Sequence, residues 1–273
     1  MDKQGLTDIL KSLQEIRDDL IRKDDGSPQS HLLTMQVNTF ASIYFFALTE
    51  IVEVDVSDLQ KTYVTYLKSR SNAVRYLFEL YLTFAHFTAT PSEKLFSKAY
   101  NFLLSGKLHI HWLDLKNREI AKVLGISKEL TETKLDINRT GYRLMLQEWG
   151  KLDERMPDEI DLFYEGNEIR KNINDSFGIT LLRHGKIDYS GEIQNNILIP
   201  NEKDVRNILK MLYPLISLDA HPTPASLIDL DLFIGKTPEE KKVMTIGRTD
   251  AIATWLAFFG KLFLSISEKP EPD

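Results

Sequence analysis

Apolar residues recur at helical spacing through residues 57–88, a stretch that contains neither glycine nor proline. When each residue is advanced by about 100° around a helix axis, the apolar positions gather on one side. These positions are Tyr63, Tyr66, Leu67, Val74, Leu77, Phe78, Tyr81, Phe84 and Ala85. The pattern predicts a long amphipathic helix whose apolar side belongs to the core, and the rest of the fold is expected to assemble around it.

The opposite side of this predicted helix is polar and carries Lys68, Asn72, Arg75, Glu79 and His86. Arg75 and Glu79 are one turn apart, so their side chains are close enough to pair. If the pair is exposed, it contributes only about 0.2 to 1 kcal/mol to stability. Three further apolar residues widen the apolar arc over the second half of the helix and favour burial of the pair instead: Leu80, Leu82 and Phe87.

The other apolar patterns predict an all-α fold, an irregular bundle of eight to ten helices in a single domain of residues 1–273. Helices are predicted at residues 3–23 (peripheral), 31–51, 92–105, 201–218 and 249–267, with two or three more in 107–150 and two short ones in 156–178. Pro214 should kink its helix. Spaced glycines and an Ile-Leu-Ile-Pro run predict a small irregular or β-hairpin insertion near 185–200. By composition, residues 268–273 should be disordered.

Composition restricts the classes of function that fit. The formal net charge is −6 and the isoelectric point is about 5.6, whereas a broad nucleic-acid surface needs an excess of lysine and arginine. The absence of cysteine excludes disulfides, thiolate metal sites and a cysteine nucleophile. Polar residues interrupt the apolar run at 31–51, and the N-terminus lacks the apolar centre of a signal peptide. We therefore expect a cytoplasmic protein with no membrane span and no cofactor, for which nucleic acid is not an expected partner.

Residues 118–135 have the spacing of a helix-turn-helix corner. Ala121 is small enough for two helices to approach, and Gly125 opens the turn between them. The second helix of the corner carries Glu129, Glu132 and Asp136, which would face phosphates unfavourably. The pattern therefore predicts a helical corner, with DNA binding as one alternative use of it.

Two histidine-containing segments are further candidates for chemistry. His109, His111 and Asp114 could hold a metal if their segment were extended, but in a helix the two histidines lie about 200° apart, and we predict no metal site. Tyr213, Ser217 and His221 follow one another at intervals of four and would form a stripe on a helix. No Gly-x-Ser-x-Gly motif accompanies Ser217, which argues against a serine hydrolase.

Two short motifs carry a resemblance to a known family. The segments VRYLFELY, which contains Arg75 and Glu79, and YPLISLDAHP, which contains Ser217 and His221, resemble a bacterial family of helical proteins described only as domains of unknown function. The resemblance implies that these four residues converge between the central helix and the penultimate one. The chain is also remotely similar to the HEPN ribonucleases, although no arginine precedes His86 or His221 at the spacing of their Arg/His motif.

These observations lead to three hypotheses about function. The first is a ligand-binding or interaction module, which could form a homodimer, with a buried polar cluster of Arg75, Glu79 and His221. The candidate ligand-binding set adds His86, Tyr213 and Ser217. The second is a HEPN-like ribonuclease or phosphodiesterase in which His221 is the acid or base and Arg75 binds phosphate. The third is a DNA-binding regulator that uses residues 118–135.

Overall fold

A computed structural model of the chain describes residues 3–52, 68–125, 144, 147–149, 164–165, 168–169, 187–220 and 231–267. The helices are α1 Lys3–Lys23, α2 Pro28–Val52, α3 Lys68–Thr88, α4 Ser92–Val123, α5 Tyr189–Asn195, α6 Lys203–Ala220 and α7 Pro238–Ser267. Strands β1 Tyr164–Glu165 and β2 Glu168–Ile169 form a small antiparallel hairpin, with Tyr164 opposite Ile169. The described residues are thus predominantly helical, and the predicted all-α class is confirmed.

The chain packs as two compact units. The first comprises Met1–Asp24, Leu33–Pro91 and Ile187–Asp273, and the second comprises Asp25–Leu32 and Ser92–Lys186. Each unit therefore draws on distant parts of the sequence. A single domain over residues 1–273 stays a prediction.

The core of the first unit forms around α3 and α7, which pack against each other, while α1 packs on α7 and α6 packs on α3. Aromatic rings connect the helices, since Phe263 of α7 stacks on Phe40 of α2 and on Phe84 of α3, at centroid distances of 4.0 and 4.5 Å. The predicted apolar side of α3 is buried wherever it is described, at Val74, Leu77, Phe78, Tyr81, Phe84 and Ala85. Burial of Leu82 and Phe87 confirms the wider apolar arc in the second half of this helix.

The second unit contains α4, which is longer than predicted. A helix end was expected at Ser105 and Gly106, but the helix continues to Val123. Gly106 has open space around it. A glycine inside a helix lowers stability by only about 1 kcal/mol relative to alanine, so without a following proline it does not end the helix. Elsewhere in this unit, the indole of Trp149 donates a hydrogen bond to the carbonyl of Gly26 at 2.7 Å.

Beyond Val123, the chain enters a turn in which Gly125 has a φ of 66°. This left-handed conformation suits a glycine that follows a helix C-terminus. The turn agrees with the first half of the predicted corner at 118–135. Residues 126–135, which would form the second helix of the corner, lie outside the described residues.

The hairpin lies elsewhere than predicted. Short helices were predicted across residues 156–178, yet 164–165 pairs with 168–169, and the Gly-Asn dipeptide between them is of a type that favours hairpin turns. The β-hairpin alternative near 185–200 is wrong, because Tyr189–Asn195 is a helix. The irregular alternative agrees with residues 196–200, which follow that helix as a turn.

Other boundaries differ less from the predictions. The predicted helix at 249–267 begins earlier, at Pro238, and residues 231–234 form a single helical turn before it. The backbone of α6 stays helical through Pro214, and the predicted kink there stays a prediction. Residues 57–67 of the predicted central helix and the predicted disordered tail at 268–273 lie outside the described residues.

Candidate functional site

The polar side of α3 is a narrow stripe. Arg75, Glu79, Thr83 and His86 follow one another at intervals of four, four and three residues, which places them within about 80° of arc around the helix axis. The Nε of Arg75 donates to the Oε1 of Glu79 at 3.0 Å. These two side chains are 25% and 26% exposed. The Arg75–Glu79 pair is therefore half-buried. This is intermediate between the two alternatives from the sequence, an exposed pair and a buried one.

His86 pairs with a residue from a different helix. Its Nδ1 lies 2.7 Å from the Oε1 of Glu192 in α5, and the two side chains are 25% and 18% exposed. The second carboxylate oxygen of Glu192 accepts a hydrogen bond from the amide of Asn196 at 2.7 Å. The Oδ1 of Asn196 in turn accepts the backbone N–H of Leu198 at 2.9 Å. A chain of hydrogen bonds thus runs from the imidazole to the turn after α5.

Arg206 of α6 holds the end of α5 in place. Its guanidinium donates to the carbonyls of Ile193, Gln194, Asn196 and Ile199 at distances between 2.5 and 3.1 Å. The last carbonyls of a helix have no partner within the helix, so a basic side chain at this end both satisfies them and complements the helix dipole. The position of Glu192, one turn earlier, therefore depends on a residue in the next helix.

A buried tyrosine lies on the core side of the same region. Tyr81 of α3 has no exposed surface. Burial raises the pKa of its phenol well above the ordinary value, and the nearby charge of Arg206 offsets part of that rise. The phenol therefore stays protonated at physiological pH and is not a candidate base.

The geometry separates the two polar pairs on α3. Arg75 and His86 are eleven residues apart in one helix, which corresponds to about 16 Å along the axis at about 1.5 Å per residue. One small ligand group, such as a phosphate, cannot contact both of them. Arg75 is therefore too distant to share an anionic ligand with His86, and the guanidinium of Arg206 already donates to carbonyls.

The His86–Glu192 pair can still form a hydrogen bond with a ligand through the second ring nitrogen of His86. If the Nδ1–H of His86 donates to Glu192, the imidazole is held in one tautomer and its Nε2 is left as an acceptor. No described residue supplies a hydrogen-bond partner to this nitrogen. The site can therefore receive an O–H or N–H group from a ligand or, in an enzyme, accept a proton from it.

The predicted site residues fare differently. Arg75 pairs with Glu79, while His86 contacts Glu192 and not either of them. The backbone of α6 carries Tyr213 and Ser217, but their side chains lie outside the described part of the structure, and so does the whole of His221. The predicted convergence of Arg75, Glu79 and His221 stays a prediction. Residues 109–114 lie within α4, so the extended arrangement that a metal site would need there is absent.

Three residues of the site escaped the sequence analysis: Glu192, Asn196 and Arg206. A signal for the first two was present, because Glu192 and Asn196 have the four-residue spacing of helical neighbours. It was missed because the glycines near residue 190 favoured a hairpin. Arg206 is harder to recognise from the sequence, because it is a single arginine near the start of a helix whose face is otherwise largely apolar.

Among the described residues, no group of three or more histidine, aspartate or glutamate side chains could hold a metal ion.

Comparison with known proteins adds no relative, since no family model, curated protein or solved structure matches the chain. A function for the protein is therefore inferred from the geometry of the site alone.

Proposed function

We propose that the protein is a helical ligand-binding module whose ligand contacts His86. The observation that carries the proposal is the 2.7 Å contact between His86 and Glu192, which leaves each side chain partly accessible. An accessible imidazole with a fixed orientation suits recognition of one hydrogen-bond donor. The proposed ligand is a small polar molecule with a hydroxyl or amino group.

The surrounding contacts support a binding role because they restrain the pair without blocking it. Asn196 occupies the second oxygen of Glu192, and Arg206 anchors the helix that carries it. Because these hydrogen bonds already order the site, a ligand loses less free energy to the ordering of side chains when it binds. The acceptor nitrogen of His86 then remains available for the ligand.

A screen by thermal unfolding tests the proposal. Wild-type protein is heated with members of a panel of nucleosides, amino acids, polyamines and sugars, and a binder raises the midpoint by mass action. Variants His86→Phe and Glu192→Gln should lose the shift. Glu79→Gln is the matched control. Glu79 lies on the same helix as His86 but pairs with Arg75, and its side chain is 26% exposed, compared with 18% for Glu192.

Retention of the shift by Glu79→Gln together with its loss in both site variants supports the proposal. If all three variants respond like the wild type, the ligand binds elsewhere and the proposal is wrong. The candidate ligand-binding residues Arg75 and Glu79 would regain a place in the site if Glu79→Gln alone lost the shift.

The second candidate is an acid–base enzyme, and the His–carboxylate pair also favours it, since a carboxylate commonly orients a catalytic histidine. For a ribonuclease that used His86, Arg75 would lie about 16 Å away along the helix, too far to bind the same phosphate. The pairing of Arg75 with His221 stays a prediction. Incubation with mixed RNA tests the ribonuclease. Cleavage by the wild type that His86→Ala or His221→Ala abolishes would establish this activity, and no cleavage above buffer would reject it.

A further inference from the structure

A groove runs between α1 and α7, on a part of the first unit that does not include the His86 site. Its volume is about 330 Å³, and its lining includes the buried side chains Leu6 and Ile9 of α1 and the small residue Ala253 of α7. The accessible rim on α7 begins at Asp250 and ends at Lys261. The groove therefore has an apolar floor and one charge of each sign at its two ends.

Four residues of α7 form the exposed edge of this groove. Asp250, Thr254, Ala257 and Lys261 are separated by four, three and four residues, which keeps them within about 60° of arc around the helix axis. The two charged residues are exposed, and neither side chain has a partner among the described residues. Eleven residues separate them, so the edge is about 16 Å long.

The order of residues along this edge is self-complementary. Its midpoint lies between Thr254 and Ala257, and each half has one small residue near the centre and one charge at the end. If a second copy of the helix lies antiparallel across this midpoint, its small residues meet small residues and its charges meet opposite charges. Small residues at the crossing also allow two helices to approach closely, at about 8 Å between axes.

We propose that a second copy of this chain occupies the groove, forming a two-fold symmetric dimer through α7. Asp250 pairs with Lys261 of the partner subunit, and by symmetry the same pair forms a second time. The charge pattern favours this occupant over an anionic or cationic ligand, because a ligand of one sign would meet a like charge at one end of the groove. The proposal does not rest on the proposed ligand.

Charge reversal tests the pairing directly. The molar mass of the full chain is measured by sedimentation velocity from 5 to 200 μM in 50 mM salt, for the wild type, Asp250→Lys and Lys261→Asp. Each reversal places like charges opposite each other at both ends of the interface, which should weaken dimerisation about tenfold or more. The wild type should be dimeric within this concentration range.

The decisive sample is an equimolar mixture of the two variants. In the mixed dimer, the two substituted side chains face each other at one end of the interface with opposite charges. The native Asp250 and Lys261 face each other at the other end. Dimerisation should therefore be restored. The double variant Asp250→Lys/Lys261→Asp should dimerise for the same reason. Restoration also demonstrates that both single variants fold, and Asp250→Asn provides a milder variant for which a smaller loss is expected.

Two results would overturn the proposal. One is a wild type that remains monomeric at 200 μM. The other is a dimer that both single reversals leave unchanged, because its interface would then lie on another face. Retention of the dimer by Glu192→Gln would separate this interface from the ligand site, so that either proposal can fail without the other.

Discussion

Gly260 of α7 lies against side chains of two other helices of the first unit, α1 and α2. A Cβ added there would lie 2.5 Å from Cγ2 of Ile9 and 3.0 Å from Cε2 of Tyr44. Both neighbours are buried, and Tyr44, which has no exposed surface, cannot move away without displacing other side chains. We expect Gly260→Ala to lower the free energy of unfolding by about 1 to 3 kcal/mol, as overpacking usually does. Urea denaturation measures the change.

Gly247 provides the matched control for this substitution in the same helix. It is exposed and has open space where a Cβ would be added. Alanine favours the helix by about 0.5 to 1 kcal/mol relative to glycine, so Gly247→Ala should raise the free energy of unfolding. Opposite signs for the two variants would identify the contact with Ile9 and Tyr44 as the cause. A stabilised Gly260→Ala protein would contradict the close approach.

Arg206 connects two helices through side-chain hydrogen bonds. Removing its guanidinium leaves four carbonyls around the C-terminus of α5 without their donor. Because hydrogen bonds from charged donors are among the stronger ones, we expect Arg206→Met to lower the free energy of unfolding by about 3 kcal/mol. Amide exchange of residues 189–196, followed by mass spectrometry, should accelerate more than exchange in α7.

A matched control for Arg206 lies one turn further along α6. Lys210 is exposed, and Lys210→Met removes the same charge from the same helix. Its effect should stay within about 0.5 kcal/mol, as is usual for surface substitutions. If both variants lose the same stability, the net charge of α6 matters and the hydrogen bonds to α5 do not.

The start of α7 is fixed by reciprocal hydrogen bonds. The backbone N–H of Thr237 donates to Oε2 of Glu240 at 2.9 Å, and the N–H of Glu240 donates to the hydroxyl of Thr237 at 3.3 Å. This capping box explains why α7 begins before the predicted residue 249. The bond from the Thr237 backbone is the main cause of a lowered pKa for Glu240, with further contributions from Lys236 and the Thr237 hydroxyl.

The lowered pKa makes this contribution to stability depend on pH. Folding favours the ionised form of Glu240, so its contribution is complete above the ordinary pKa of 4.5 and is lost as the pH falls through the lower value of the folded state. We expect Glu240→Gln to be less stable than the wild type at pH 7, with a difference that shrinks below about pH 4. Thermal unfolding from pH 3 to 7 tests this, and a difference independent of pH would contradict it.

At the scale of the whole molecule, the sequence predicted what depends on local periodicity. The buried side of α3 follows from its spacing of apolar residues, and the start of α4 at Ser92 follows from the proline before it. Interactions between distant segments were not predictable in this way. Nothing in the local pattern around His86 indicates a partner 106 residues further along the chain, and nothing near Arg206 indicates that its acceptors lie in another helix.

Within the described residues, two helical segments have the length and composition to cross a membrane, namely Pro28–Thr49 and Pro238–Ser267, and about half of each apolar window is buried. The stack of Phe40 on Phe263 joins α2 to α7 inside the first unit, and insertion of either helix into lipid would break this core. We therefore expect the folded protein to stay unbound when phosphatidylcholine vesicles are floated on a density gradient.

The flotation experiment has a variant that distinguishes shallow binding from a membrane span. Phe46 of α2 is 65% exposed, so a helix that only touches the bilayer surface would insert this ring first. Flotation that Phe46→Ser or alkaline carbonate abolishes would place the protein at the membrane surface and contradict the expectation of an unbound protein. Flotation that resists both treatments would mean that α7 has exchanged its packing against α1 and α3 for lipid.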